Sequence, residues 1–325
     1  MVLLYLELGG DIIHSDSSNY DVSVIIPTLN AAKHIEAIAE SISAQKLHPR
    51  EVLVIDSNSD DDTVNMANRV GFKVCQIDRS EFDHGRTRDQ SLNMVSGEIV
   101  VFLTQDAYLF DENSLQKLVS ALRENSVWAA FGRQIPRIDA PLREVFARNF
   151  NYPAESRVVD FEDLSRLGIK TFFFSDVFSA IKKEAYMKVG GFPSSIVTGE
   201  DMVLAAKIIR AGGKVAYVSD AMVWHSHDFT FSQQMKRYFD IGAMHSMFRW
   251  LRDDAPPEKE GFRYVRELMK FLWQQRGYRE YPRVVLDLAA RFIGYRLGLG
   301  HSKLPPETVR VLGSNKAFWV RWLNQ

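Results

Sequence analysis

Three groups of residues in this 325-residue chain have types and spacings that could do chemistry. The apolar run at residues 101–103 leads straight into Thr104, Gln105 and the carboxylate of Asp106. A buried strand that ends on an ionisable group has two explanations, a turn-forming loop residue or a group that faces something at the strand's end. Glu200 and Asp201, in "TGEDMVL", stand at the head of a helical pattern. Acids there can cap the helix or take a proton from a substrate. His225 and His227, in "VWHSHD", are two apart. Extended backbone turns both imidazoles to the same side, where they can hold a transition-metal ion or merely pack.

Such groups need a scaffold, and residues 21–135 supply a regular one. The runs "VSVIIP", "EVLVID", "FKVCQI", "EIVVFLT" and "VWAAFGR" read as strands, with helical patterns between them. Strands that are apolar on both faces and separated by helices imply a largely parallel sheet covered on both sides. Ligands of such sheets bind beyond the carboxyl ends of the strands. Those ends are residues 27–30, 56–60 and 104–106, where polar residues gather. Residues 136–170 read as an irregular loop or insertion. A strand, turn and helix resume at 171–192, followed by a loop, the helix opening near Glu200, and a last strand.

Composition limits the alternatives. The chain is 46% hydrophobic and 25% charged, as globular proteins are, and has no run of about 18 apolar residues of the kind that spans a bilayer. Its first twenty residues lack a basic segment and a cleavage-like site, so they read as an arm and not as a signal peptide. The single Cys75 excludes an internal disulfide, and its apolar surroundings predict packing. The net charge of −1 conceals a step. Residues 229–325 hold 17 lysines and arginines against 9 acids, leaving 23 against 32 for residues 1–228. An acidic part and a basic part suggest two jobs, the basic one meeting something anionic.

The motifs "SVIIPTLNAAKHI", "VLVIDSNSDDDT", "RTRDQSL", "EIVVFLTQDA", "GGF" and "TGEDMVLAAKI" resemble, in order and spacing, the inverting nucleotide-sugar-dependent glycosyltransferases of family 2. "FDHGRTRDQSLN", "LTQDA" and "VWHSHDFTFSQQMKRYFDIGA" are similar to bacterial rhamnosyltransferases of surface polysaccharide. The resemblance covers about residues 21–230 and implies the GT-A fold. It implies that Pro27 and Leu29 border the nucleoside through their main chain, that Asp56 accepts from the base, and that Arg88 covers the base or reaches the diphosphate. His84 is a donor-side candidate or a turn residue. The family's Asp-X-Asp metal signature reads Thr104-Gln105-Asp106 here. Gln105 then lies against the donor, and Asp106 with Mg²⁺ or Mn²⁺ faces the diphosphate. His227, or His225, is implied as a further ligand. Asp201 is implied as catalytic base, Glu200 as its support or an acceptor contact, and Asp176 as a polar residue near the sugars.

The donor so implied is dTDP-rhamnose, with a UDP- or GDP-sugar as the alternative and a non-catalytic nucleotide-binding module as a more distant one. The acceptor implied is a polyprenyl-diphosphate-linked glycan. The expected organisation is an arm at 1–20, a catalytic domain at 21–228 and a helical region at 229–325. That last region mixes Arg and Lys with Trp, Phe and Tyr, which predicts helices lying in a membrane interface. A peripheral position on the cytosolic face of a bacterial inner membrane follows. No nucleic-acid motif accompanies the positive charge.

Overall fold

The structure, a computed structural model, describes residues 20–324. The arm expected at 1–20 therefore lies, except for Tyr20, outside the described residues. The first half alternates as its apolar runs dictate: β1 (Val22–Thr28), α1 (Ala32–Ser43), β2 (Glu51–Asp56), α2 (Thr63–Arg69), β3 (Lys73–Gln76), α3 (His84–Leu92) and β4 (Ile99–Leu103). Short β5 (Tyr108–Leu109), α4 (Ser114–Ser120) and β6 (Val127–Ile135) follow. Next come α5 (Leu142–Asn151), β7 (Arg157–Val159), α6 (Leu164–Leu167), β8 (Phe178–Lys182), α7 (Lys183–Lys188), α8 (Glu200–Arg210) and β9 (Lys214–Trp224). The remainder is helical: α9 (Phe231–Met247), α10 (Arg249–Asp254), α11 (Glu258–Gln274), α12 (Tyr281–Leu299), α13 (Pro306–Leu312) and α14 (Lys316–Leu323).

One sheet runs β3-β2-β1-β4-β8-β6-β9-β5, with β7 beside the first half of β9. Strands β3, β2, β1 and β4 are parallel, as are β6 and β9. β8 is antiparallel to both β4 and β6, so the sheet is mixed where alternation alone implied parallel pairing. Side chains alternate across β1: Ile25 joins one buried cluster with Phe102 and Val203, whereas Val24 and Ile26 join another with Ile35 and Ile38. Both faces are thus covered, which is why these strands are apolar throughout. Cys75 is half-buried against the first cluster.

Two departures from the sequence reading matter. The stretch read as irregular, residues 136–170, contains α5, whose Phe146 packs with Leu268, Leu272 and Val284 of α11 and α12. The basic tail is also partly core: Phe239, Phe318 and Trp319 are buried within the main cluster. Helices α9 and α12 meet closely because glycines line the contact. A Cβ on Gly298 would lie 2.0 Å from the carbonyl oxygen of Phe239, and one on Gly294 2.2 Å from that of Met235.

Candidate active site

At the carboxyl end of the sheet, Asp106 follows β4 while His225 and His227 follow β9. One ligand atom from each lies within 4.8 Å of the others. Nε2 of His225 is 3.4 Å from Asp106 Oδ1, and Nε2 of His227 is 3.6 Å from Oδ2. Burial pushes both imidazoles below their usual range; His227, which also adjoins His225, drops to about 4. Burial opposes ionisation of Asp106, but in the acid range where it titrates the imidazoles outweigh burial and hold it well below ordinary carboxylates. Near neutral pH the cluster is therefore one carboxylate and two uncharged rings. That donor set fits a divalent cation. Both histidines reach Asp106 from the chain just after β9, so either imidazole is within reach of an ion held by that carboxylate.

A second cluster lies around the head of α8. Gly199 precedes it with φ of 75°, in the left-handed region that favours glycine, and the chain then turns Glu200 and Asp201 into the first turn. Arg88, 7% exposed, lies beneath them. Its Nη1 is 2.8 Å from Glu200 Oε1 and its Nε 3.3 Å from Asp176 Oδ2. His84 Nδ1 stands 3.6 Å from Glu200. Asp176 donates its main-chain N–H to Asp201 Oδ2 at 3.4 Å and accepts from Ser179 at 2.9 Å. Burial dominates the titration of this group. It pushes Asp201 up to about 8, reinforced by the charges of Glu200 and Asp176. Burial likewise raises Asp176, to about 6, against the pull of Arg88. Glu200 goes the other way, because His84 and Arg88 together outweigh burial.

The two clusters share a buried polar connection that sequence reasoning missed. His225 Nδ1 meets Gln134 Oε1 at 2.8 Å, and Gln134 Nε2 donates to Ser175 Oγ at 2.9 Å, next to Asp176. Gln134 also contacts Arg148 and Tyr152. One signal was available: a glutamine near the end of the largely apolar strand "VWAAFGRQI".

Other residues expected at the donor stand differently. Asp56 is fully buried, accepting from Thr28 Oγ1 at 3.0 Å and from Ser59 Oγ and N at 2.5 and 2.8 Å. Its carboxylate thus anchors its own loop. Pro27 is half-buried in β1. Leu29 has both main-chain groups engaged by the Gln105 amide, at 2.7 and 3.2 Å, so Gln105 clamps β1 to the turn after β4. Arg88, expected at the base or diphosphate, is the buried counter-charge of Glu200 and Asp176, since carboxylates so enclosed require one.

With this geometry in view, comparison with known proteins is informative. Residues 23–190 match the family described as Glycosyl transferase family 2. The chain is 38% identical over 301 residues to the O-antigen chain rhamnosyltransferase RfbN of Salmonella typhimurium, spanning 92% of this chain and 96% of that one. It is equally similar to WbaN of Salmonella anatum, over 91% and 95%. The structure of a Pyrobaculum calidifontis mannosyltransferase in complex with GDP-Man and Mn²⁺ superimposes with a TM-score of 0.55 at 19% identity, covering 94% of this chain and 88% of that one. Staphylococcus aureus TarS 1–349 with UDP-GlcNAc gives 0.55 at 16%, covering 93% and 89%. At such identities the structural likeness establishes the GT-A fold.

Proposed function

The chain belongs to glycosyltransferase family 2, and from that premise we propose that it transfers L-rhamnose from dTDP-rhamnose, with inversion, to a polyprenyl-diphosphate-linked glycan. The observation that carries the reading is the meeting, at one sheet edge, of a cation-fitting acceptor cluster and a carboxyl held near neutrality. The choice of rhamnose rests on the likeness to the two Salmonella enzymes.

Asp201 takes the proton of the acceptor hydroxyl as its oxygen bonds to the anomeric carbon. The bond from that carbon to the diphosphate breaks on the opposite face, and its electron pair leaves with dTDP. Glu200 and Asp176, fixed by Arg88, keep Asp201 short of counter-charge and so basic. Asp106, His225 and His227 would hold the divalent ion, whose charge would offset that of the leaving diphosphate. Two imidazoles suit Mn²⁺ better than Mg²⁺, whose preferred ligands are oxygens. A non-catalytic binding module would have no use for a raised carboxyl beside the sugar site.

The acceptor class places the work at a bilayer. Among the described residues no helix is long and apolar enough to cross one. Outward faces of α11 and α12 nevertheless expose Phe262, Trp273, Leu286 and Phe292, with Tyr278 between the helices. Arg266, Lys270, Arg276 and Arg279 are exposed in the same region. Aromatic and basic side chains in that mixture favour peripheral docking on the anionic cytosolic leaflet of the inner membrane.

Calorimetric titration with dTDP-rhamnose, UDP-sugars and GDP-sugars, each with Mn²⁺, Mg²⁺ or EDTA, tests the donor. Mn²⁺-dependent binding of dTDP-rhamnose alone is the expected result. Binding of a different nucleotide sugar would overturn the sugar and keep the mechanism; binding of none would overturn the catalytic reading.

A further inference from the structure

Gln134, 3% exposed at the carboxyl end of β6, has every bonding position of its amide in use. Its Oε1 accepts from Nη1 of Arg148 and meets His225 Nδ1 at 2.8 Å; its Nε2 donates to Tyr152 OH at 2.5 Å and Ser175 Oγ at 2.9 Å. A guanidinium can only donate, so the amide oxygen and not the nitrogen must face Arg148. That orientation decides the imidazole too. An acceptor opposite Nδ1 requires a hydrogen on Nδ1, and a neutral ring then carries its lone pair on Nε2. Nε2 is the atom 3.4 Å from Asp106. Were the amide reversed, Nε2 would carry the hydrogen, and no lone pair would face the cluster.

We infer that Gln134, held in one amide orientation by Arg148, is the positioning residue that fixes His225 as its Nδ1–H tautomer and so makes Nε2 a metal ligand. Arg148 reaches the other imidazole by a separate route. Its Nε is 2.7 Å from Glu144 Oε1, which accepts from Ser226 Oγ and from the main-chain N–H of His227, each at 3.3 Å. Helix α5, carrying Glu144 and Arg148, is thus the brace of both histidines. Outer hydrogen bonds of this kind fix ring orientation and tautomer and raise the basicity of a ligating imidazole. The inference rests on the reading of the cluster as a metal site, and in metal-free protein it has a competitor: Asp106 Oδ1, an acceptor 3.4 Å from Nε2, favours Nε2–H, so Nδ1–H there isolates the hold of Gln134.

The test uses metal-free protein with isotope-labelled histidine, followed by proton–nitrogen NMR above the imidazole titration range. The His225 signals are those lost in His225→Gln. Nδ1–H at wild-type His225, displaced toward Nε2–H in Gln134→Met and Arg148→Met, is the expected pattern. Mn²⁺ affinity read by EPR should fall about 10- to 100-fold in both variants. Gln134→Glu should stay near wild type, because a carboxylate still accepts from Arg148 and from Nδ1–H. Nε2–H at wild-type His225 would overturn the inference, whatever the metal does. So would a Gln134→Met protein that melts with wild type and binds Mn²⁺ equally tightly. If Gln134→Met does not fold, Arg148→Met and Gln134→Glu make the same comparison. Nδ1–H in a wild-type protein that binds no Mn²⁺, even with nucleotide sugar, would instead sink the metal-site reading and the ligand half of the inference with it.

Discussion

A carboxyl that is to accept a proton must first be without one, and Asp201 is held where this is a close matter. Burial and two neighbouring acids raise it to about 8, so below that pH most of the free enzyme carries the proton and cannot act as base. The profile of kcat/KM reports groups of the free enzyme. It should therefore climb with pH up to about 8 and level off above it. Asp201→Asn should lower kcat about 10²- to 10⁴-fold and abolish that limb, with Mn²⁺-dependent donor affinity nearly unchanged. An Asn variant with wild-type turnover would remove Asp201 from the role. The structure brings Asp106 and the two histidines together and sets Asp201 in the first turn of α8; their places were legible because each is a chemically distinctive residue at the end of a strand or the head of a helix. Arg88 marks a limit: a spacing cannot tell a guanidinium aimed at a ligand from one buried against two carboxylates 2.8 and 3.3 Å away. The hydrogen bonds that Asp56 accepts from Thr28 and Ser59 left no trace in the sequence either.

Elements were easiest to read where both sheet faces are covered, since β1, β2 and β4 are apolar whichever way a side chain points. The inversion of β8 left no such trace, because direction within a sheet depends on connections and not on composition. Helix α5 was hidden for another reason. Prolines 136, 141 and 153 bracket a helix of only ten residues, which masks the stripe of Leu142, Phe146 and Phe150, four apart, that packs against α11 and α12. Its value lies in Glu144 and Arg148, which propensity reads as an ordinary charged surface. The contact of α9 with α12 makes a sharper claim about sequence. Gly298 sits where any Cβ would meet backbone at 2.0 Å, and backbone cannot swing aside as a side chain can. Gly298→Ala should destabilise the protein by about 1–3 kcal/mol or more, read as a lowered melting temperature. Gly261 in α11 has nothing within 4 Å of its would-be Cβ. Gly261→Ala should be neutral or stabilising by up to about 1 kcal/mol. Equal effects of the two would mean that helix propensity, and not close packing, governs both.

At the scale of the molecule, the charge step does not divide the core. The acidic first 228 residues carry the sheet and both clusters, yet Phe239, Phe318 and Trp319 from the basic remainder are buried in the same core. Trp319 donates to Asp240 at 2.7 Å, tying α14 to α9. The tail therefore cannot be judged by deletion alone, since removing it would open the core. Point changes on the outward faces avoid that problem. Phe262, Trp273 and Phe292 are 78%, 67% and 68% exposed, so their loss leaves folding nearly untouched. Each, if buried in an interface, contributes about 1.5–3 kcal/mol, a tenfold or larger factor in binding. The triple variant Phe262→Ser, Trp273→Ser, Phe292→Ser should melt with wild type but lose co-sedimentation with vesicles containing anionic lipid. Wild-type binding should weaken with added salt, because arginine and lysine charges at a lipid surface are screened within about a Debye length of 10 Å at 0.1 M. A triple variant that sediments like the wild type would rule out this face as the membrane contact, and the aromatic exposure of α11 and α12 would then need a protein partner to cover it.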